Sequence, residues 1–220
     1  MNSDIIITSD STTDLSSDLK ARYGIEICPL GVTLGGKTYI DGVDITPDDI
    51  YAHHDKTGEL PKTSATNVGE SLDFFRKFTE SGKTVIHFTI SSEMSSTYAN
   101  ACLAAEELEN VYVINTENLS TGGGLLVVAA AQMREDGLSA EEIVEKTKAL
   151  VPCVDASFVI DSLEYLYKGG RCSALAMFGA NLLKLKPCIQ VKNGKMDVAK
   201  KYRGKYDEVL KQYIREKVTD

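Results

Sequence analysis

The sequence lacks the features that mark membrane, secreted and zinc-binding proteins. Its five cysteines are odd in number and form no Cys-x-x-Cys pair, which argues against a zinc ribbon or a disulfide framework and favours a reducing compartment. The longest apolar run, residues 125–131, is too short to cross a bilayer. Residues 1–4 carry no basic cluster of the kind that opens a signal peptide, so we expect a cytoplasmic protein with no membrane span.

Positive charge is scarce as well. The chain has 24 Lys and Arg against 32 Asp and Glu, which gives a net charge of −8. This acidity argues against nucleic acid, or an anionic membrane surface, as the main partner. Because 43% of the 220 residues are hydrophobic and 25% are charged, the chain has the composition of a globular protein with a sizeable core.

The common nucleotide-binding and hydrolase signatures are missing too. There is no G-x-x-x-x-G-K-[ST] loop, no G-x-G-x-x-G after a strand and no G-x-S-x-G elbow. His87 falls inside a predicted strand, where a hydrogen-bonded core histidine is the expected reading. His53 and His54 fall on an acidic helix, and they are either solvated or part of a weak metal site. We therefore expect no metal centre and no cofactor.

What the sequence does contain is an alternation of strands and helices. Apolar strands are predicted at residues 4–8, 25–34, 83–90 and 111–114, with helices between them; Thr46-Pro47 opens one helix, and Ser139 with Glu142 opens another. Such alternation predicts an α/β fold with a mostly parallel sheet covered by helices on both faces. Past residues 152–156 the pattern changes to a second, smaller α/β region with an Asn193-Gly194 hairpin, so we expect domains at 1–153 and 154–220.

Three of the predicted strands end in clusters of Ser, Thr and Gly, at residues 9–13, 91–97 and 116–124. The carboxyl ends of parallel strands meet at one edge of a sheet, where ligands bind. The stretch 83–101 is the clearest example, because a strand, a turn and a helix start there would aim backbone N–H groups, a helix dipole and hydroxyls at one point. The sequence therefore predicts an anion cradle without Lys or Arg. The alternative is that Ser95 or Ser96 simply caps the helix.

These motifs together resemble the DegV family, the bacterial fatty-acid-binding proteins that include the FakB subunit of fatty acid kinase. The resemblance covers nearly the whole chain. The matching residues are 8–12 (Thr-Ser-Asp-Ser-Thr), Pro29-Leu30, Asp41-Gly42, 61–64 (Pro-Lys-Thr-Ser), Ser91-Ser92, Thr97-Tyr98, 163–166 (Leu-Glu-Tyr-Leu), 168–171 (Lys-Gly-Gly-Arg), Lys186-Pro187 and Arg203-Gly204.

The resemblance implies a two-domain α/β carrier, not an enzyme, that buries one long-chain fatty acid in a tunnel between its domains. A ligand of about 14 to 18 carbons would gain roughly 0.8 kcal/mol per buried CH₂. A further implication is a partner, the ATP-binding subunit of fatty acid kinase, to which the bound acid is presented for acyl-phosphate formation. The apolar segment 173–185 would form a wall of the tunnel; alternatively, its side chains simply pack in the hydrophobic core.

The resemblance also implies the site residues. The carboxylate would be held by Thr63 and Ser92, with help from neighbouring hydroxyls and backbone amides. The assisting hydroxyls are Ser64, Ser91 and Thr97; the supporting strand-end residues are Asp10, Ser11 and Thr12; the possible partner-docking residues are Arg171 and Arg203.

The sequence departs from the family pattern in three places. Residues 63–66 read Thr-Ser-Ala-Thr where the family commonly has Thr-Ser-Gln-Pro, and residues 95–98 read Ser-Ser-Thr-Tyr where it has Ser-Gly-Thr-Tyr. Family members also extend beyond the point matching Asp220, with further strands and a His/Gly-rich segment. We therefore expect a second domain that is shortened in this chain, or a sequence that is part of a longer protein.

Two other functions compete with the carrier. One is a small-molecule hydrolase or phosphotransferase that uses Asp10, Ser11 and Ser92, for which Asp10 and Asp14 would be a carboxylate pair; capping and turn formation are the alternative roles of those two acids. The other is an interaction protein that docks through the basic segment 200–205, a role that could coexist with lipid binding.

Overall fold

The structure is a computed structural model that describes residues 4–172 and 185–219. The chain divides into two compact units, Met1–Val154 and Asp155–Asp220. Within the described residues, no helix is long and apolar enough to cross a membrane.

The first unit alternates strands with helices. Its strands are β1 (Ile5–Asp10), β2 (Glu26–Cys28), β3 (Gly31–Leu34), β4 (Lys37–Ile40), β5 (Lys62–Ser64), β6 (Thr84–Thr89) and β7 (Val111–Asn115). Its helices are α1 (Ser17–Tyr23), α2 (Pro47–Thr57), α3 (Val68–Thr79), α4 (Thr97–Glu106), α5 (Ser120–Glu135) and α6 (Ala140–Leu150), with single 3₁₀ turns at Ser11–Thr13 and Val151–Cys153.

A four-stranded parallel sheet in the order β2-β1-β6-β7 organises this unit. Alternate residues of its strands face opposite sides, and each side is covered by helices. On one side Ile7, Ile86 and Ile114 pack with side chains of α5 and α6. On the other side Val85 packs with α3 and α4, including Phe75. The predicted α/β fold with a parallel sheet covered on both faces is confirmed.

A small antiparallel sheet in the order β4-β3-β5 corrects two expectations. Residues 25–34 were expected to be one strand, but Pro29 separates β2 from β3, and the two strands belong to different sheets. Proline has no N–H to donate to a ladder, so the chain changes direction there. Residues 60–67 are rich in hydroxyls and typical of an irregular loop, but residues 62–64 form β5, which pairs with β3.

A glycine run such as residues 122–124 is typical of a loop that precedes a helix, but α5 begins at Ser120 and the run belongs to its first turns. Gly124 explains why that turn contains small residues. A Cβ at Gly124 would lie 2.9 Å from the backbone oxygen of Thr13 and 3.2 Å from Leu15. The absence of a side chain therefore lets α5 pack closely against the turn that follows β1.

Two predicted helix starts are confirmed by reciprocal capping boxes. Thr46 and Asp49 cap α2, and Ser139 and Glu142 cap α6. In each box the hydroxyl accepts from the third helical N–H while the acid accepts from the capping residue's own N–H.

The second unit contains β8 (Ser157–Val159), α7 (Glu164–Gly169), β9 (Lys186–Lys192), β10 (Lys195–Tyr202) and α8 (Tyr206–Thr219). Its strands form an antiparallel sheet in the order β10-β9-β8, and the predicted hairpin is confirmed at Asn193-Gly194. Helix α8 covers this sheet, with Val209 buried beside Val159 and Tyr202. The helix expected at 173–185 lies, except for Leu185, outside the described residues.

Candidate functional site

The carboxyl ends of β1, β6 and β7 lie at the same edge of the parallel sheet. Ser9 is in register with Phe88, and Thr89 with Asn115. The loops after β6 and β7 are joined by a hydrogen bond of 2.9 Å from the Ser91 backbone N–H to the Asn118 carbonyl. The predicted gathering of three strand-end polar clusters at one edge is therefore present.

Asp10, the last residue of β1, is fully buried and holds two of these loops together. One carboxyl oxygen accepts from the backbone N–H and the hydroxyl of Thr12, at 3.0 and 2.6 Å, and the other accepts from the Ile90 N–H at 2.7 Å. Burial raises the pKa of the Asp10 carboxyl, and the three donors oppose that rise. All of these contacts are internal, so Asp10 shapes the loops after β1 and β6.

The neighbours of Asp10 have structural contacts too. The Ser11 hydroxyl accepts from the Leu30 N–H at 3.2 Å, which fixes the chain just before β3. Asp14 is exposed and ends the 3₁₀ turn in a left-handed conformation. The structure thus assigns turn and capping roles to Asp10 and Asp14, and it gives Ser11 the environment of a structural hydroxyl.

Ser92 lies on the exposed side of the loop after β6. Its backbone N–H donates to Asn115 Oδ1 at 3.2 Å, and its hydroxyl accepts from Asn115 Nδ2 at 2.8 Å. Asn115 ends β7, so the neighbouring strand holds Ser92 at both its main chain and its side chain. Sequence reasoning missed Asn115; the signal that could have revealed it is a polar residue at the last position of a buried strand.

Ser91 and Thr97 point inward, unlike Ser92. Both are buried, and Ser91 Oγ accepts from the Glu93 N–H at 3.2 Å. The Ser95 hydroxyl accepts from the N–H of Thr97, the first residue of α4, at 3.2 Å and contacts Thr97 Oγ1 at 2.9 Å, whereas the N-cap residue, Ser96, makes no side-chain capping bond. These two expected site residues therefore shape the loop.

Thr63 and Ser64 lie on β5, at the edge of the small sheet, and both are exposed. Among the described residues the Thr63 hydroxyl has no hydrogen-bond partner, so it is available to a ligand. Ser64 packs against Gly31, where a Cβ would collide with Ser64 Oγ. Ser64 also lines a cavity of about 410 Å³ whose walls include Leu30, Tyr39 and Phe74.

Two contacts tie the small sheet to the parallel sheet. The Asn100 side chain, on α4, donates to the Thr66 carbonyl at 2.8 Å, and the Ser11–Leu30 bond anchors the start of β3. Both ends of the β3–β5 pair are therefore fixed beside the strand-end loops and helix α4. That the Thr63 and Ser92 hydroxyls face the same ligand carboxylate stays a prediction.

The strand-end loops at residues 9–13, 91–97 and 115–118 contain no Lys or Arg, and β5 carries one cation, Lys62, next to Thr63. The available donors of these loops are hydroxyls and amides, and their charged residues are acids. No group of His, Cys, Asp and Glu within the described ranges is arranged to hold a metal. Such a site suits an anion that is held by neutral hydrogen bonds.

The three histidines lie outside the strand-end loops of the first unit, and the two expected docking arginines belong to the second unit. His87 is buried in β6 beside Phe75, with Nδ1 at 2.8 Å from the Thr8 hydroxyl, and burial lowers its pKa to about 3. His53 Nε2 contacts Glu59 at 3.1 Å. Arg171 and Arg203 are exposed in the second unit, where Arg171 donates to the Gly169 carbonyl at 2.5 Å. The core role expected for His87 is the one that the structure shows.

Comparison with known proteins decides the family. The model described as "Uncharacterised protein, DegV family" matches residues 4–218. The chain belongs to the DegV family. A DegV domain-containing protein of Clostridium acetobutylicum is 38% identical over 202 residues, which are 91% of this chain and 72% of that protein. A second, from Caldanaerobacter subterraneus, is 35% identical over the same shares.

Solved structures of DegV proteins match the fold. A DegV family protein from Thermus thermophilus, described as fatty-acid binding, is 32% identical with a TM-score of 0.85, and the match covers 96% of this chain and 77% of that one. A stearic acid-binding protein from Eubacterium ventriosum is 34% identical with a TM-score of 0.84 over the same shares. The α/β fold inferred from the sequence is thus the DegV fold.

Proposed function

We propose that this DegV protein binds a long-chain fatty acid and holds its carboxylate at the edge of the parallel sheet, with Thr63 and Ser92 as the principal contacts. The observation that carries this proposal is the pair of exposed hydroxyls, Thr63 on β5 and Ser92 on the loop after β6, in a chain similar to fatty-acid-binding proteins. Ser64 and backbone amides assist. Ser91, Thr97, Asp10, Ser11 and Thr12 support the loops from within.

The acyl chain and the carboxylate of the fatty acid contribute to binding in different ways. Burying a chain of sixteen carbons contributes on the order of 10 kcal/mol before the costs of association. The hydroxyls fix the position of the carboxylate and add affinity, because a hydrogen bond to a charged group is worth about 1.5–3 kcal/mol net. Loss of both hydroxyls would leave the carboxylate short of donors, so retention of the lipid depends on them. The contribution of residues 154–220 to burying the chain stays a prediction.

The test is retention of lipid by a double variant. Thr63→Val with Ser92→Ala removes both hydroxyls at nearly constant volume, and denaturing mass spectrometry of the purified protein then measures bound fatty acid against the native chain. We expect lipid content to fall to a small fraction while circular dichroism stays native. Unchanged lipid content would refute the assignment of the site.

A matched control makes the same chemical changes at the opposite edge of the sheet. Thr79 and Ser81 lie just before β6 begins, far from its carboxyl end. Thr79→Val with Ser81→Ala should leave the lipid content of the protein at the native level. Loss of lipid in this control would show that the assay reports general instability.

We further propose that the bound acid is the substrate of an ATP-dependent kinase partner. Neutral donors leave the charge on the carboxylate, so one oxygen can attack the γ-phosphorus of ATP while the bond to ADP breaks, which yields acyl phosphate and ADP. Arg171 and Arg203 are the proposed docking residues. With the kinase subunit and ATP supplied, Arg171→Ala with Arg203→Ala should lower ADP release at unchanged lipid content; an unchanged rate would refute the docking role.

A further inference from the structure

The side-chain amide of Asn115 makes three hydrogen bonds within the strand-end loops. Oδ1 accepts from the backbone N–H groups of Ser92, at 3.2 Å, and Glu117, at 3.1 Å. Nδ2 donates to the Ser92 hydroxyl at 2.8 Å. Two of the three bonds therefore involve Ser92, the exposed residue of this loop that the proposed function places against the ligand.

The chemistry of these partners fixes the orientation of the amide. A backbone N–H can only donate, so the atom that faces Ser92 N and Glu117 N has to be the oxygen. The NH₂ group then has to face Ser92 Oγ. Since the Ser92 oxygen accepts from Asn115, the single hydroxyl proton of Ser92 points away from Asn115 and is free to donate elsewhere.

We propose that Asn115 is a positioning residue that turns the Ser92 hydroxyl into a donor toward the fatty-acid carboxylate. This inference rests on the proposed function. Without the amide, Ser92 could rotate and donate its proton to a neighbouring carbonyl, and its main chain would lose one of its anchors. Asn115 does not touch the ligand; it acts through Ser92.

Asn115 also has a structural role, which any test has to separate from positioning. Its bond to the Glu117 N–H supports a turn in which Glu117 adopts a left-handed conformation, with φ of 50°. Simple truncation therefore removes two functions at once. A double-mutant cycle with Ser92 distinguishes them, because only the positioning effect requires the Ser92 hydroxyl.

The first experiment measures palmitate affinity of delipidated protein by isothermal titration calorimetry. Asn115→Ala and Ser92→Ala should each weaken binding by roughly tenfold, the equivalent of about 1.4 kcal/mol. The double variant should bind no more weakly than Ser92→Ala alone. If Asn115→Ala causes the same loss with and without the Ser92 hydroxyl, the positioning role is wrong while the proposed function stands. Native affinity in Ser92→Ala would overturn both.

The second experiment uses Asn115→Asp, which keeps the shape and the oxygen that accepts from both backbone donors. Its second carboxylate oxygen would accept the Ser92 proton and turn that proton away from the ligand. The carboxylates of Glu93 and Glu117 belong to the same loops, and buried Asp10 ends β1, two strands away from β7 in the sheet. Nearby acids disfavour the charge of the introduced carboxylate, whereas the N–H groups of Ser92 and Glu117 favour it, so this carboxyl becomes protonated only as the pH falls into the acidic range.

Palmitate affinity is compared between Asn115→Asp and the native protein at each pH. We expect the variant to bind more than about tenfold more weakly at pH 7, and this difference should shrink as the pH falls. A protonated Asp can donate to Ser92 Oγ again, as the native amide does. The recovery should disappear in the Ser92→Ala background. A pH-dependent loss that persists there would come from direct charge repulsion of the ligand and would overturn the inference.

Asn110→Asp is the control for added charge. Asn110 is exposed just before β7 begins, at the opposite end of the strand that Asn115 ends. This variant should bind palmitate with native affinity throughout the pH range.

The loss of affinity in Asn115→Asp has one further possible outcome. If that loss does not depend on pH and persists in the Ser92→Ala background, Asn115 has only a structural role.

Discussion

The carboxylate of Asp10 accepts a hydrogen bond of 2.7 Å from the backbone N–H of Ile90, 80 residues along the chain. This bond joins the carboxyl ends of β1 and β6, from which the loops of the proposed headgroup site emerge. Asp10 is buried and makes no contact that points to chemistry of its own. The residue that most resembles a catalytic acid in the sequence therefore supports the site.

Replacing Asp10 tests that supporting role. Asp10→Asn keeps an acceptor for Thr12 but places an NH₂ group opposite the Ile90 N–H, so two donors face each other. We expect a loss of about 1–3 kcal/mol in the free energy of unfolding, measured by urea titration. Asp14→Asn is the matched control, since Asp14 is exposed and Asn tolerates its left-handed conformation. Equal stability of the two variants would contradict the role given to Asp10.

The glycine run of α5 provides a second, internally controlled prediction. Gly124→Ala would place a methyl group against the Thr13 backbone oxygen and should destabilise the protein by about 1–3 kcal/mol. At Gly123 the nearest atoms to a new methyl lie 3.4 Å away or more, in ordinary contact. Gly123→Ala should therefore be neutral, or stabilising by up to about 1 kcal/mol through helix propensity. Chemical denaturation of the two variants measures both changes in the free energy of unfolding. Equal changes would mean that close packing of α5 against Thr13 is unimportant.

The contact between Gly31 and Ser64 predicts a coupled pair. Gly31→Ala should lower the midpoint of thermal unfolding and weaken palmitate binding, because the methyl forces the Ser64 hydroxyl out of its position. The same substitution in a Ser64→Ala background should cost less, since Ser64 Cβ lies 3.8 Å from the added atom. We expect a coupling of about 0.5–3 kcal/mol in the unfolding free energy. Strict additivity would show that the two positions do not interact.

Because His87 is buried, we predict that the free energy of unfolding decreases as the pH falls. Its pKa is lowered to about 3 in the folded protein, below the value near 6.5 of the unfolded chain, because burial disfavours the imidazolium. Between those values the unfolded state binds more protons, so stability is present above about pH 6.5 and falls with decreasing pH by up to about 1.4 kcal/mol per pH unit.

The variant His87→Gln removes this titration and keeps a polar side chain at the buried position in β6. Its unfolding free energy, measured by urea titration from pH 7 to pH 4, should fall less steeply than that of the native protein. His54→Gln, on the surface helix α2, serves as the control and should retain the native slope. The same slope in native protein and His87→Gln would contradict the assignment.

Much of the architecture can be read from local signals. Strands β1, β6 and β7 are apolar runs followed by polar residues, and apolar runs that alternate with helices are typical of a parallel sheet covered on both faces. The capping boxes at Thr46 and Ser139 also require only neighbouring residues. These features follow from the chain because their causes lie within a few residues of each other.

The rest depends on tertiary contacts. Pro29 separates two sheets because β3 pairs with residues 62–64, and a glycine is needed at position 124 because the Thr13 backbone lies against it. The sequence determined which residues are polar at the strand ends. Only the tertiary structure decided that Asn115 forms hydrogen bonds with Ser92 and that Asp10 accepts one from Ile90. Such pairings join residues far apart in the chain, so no local pattern encodes them.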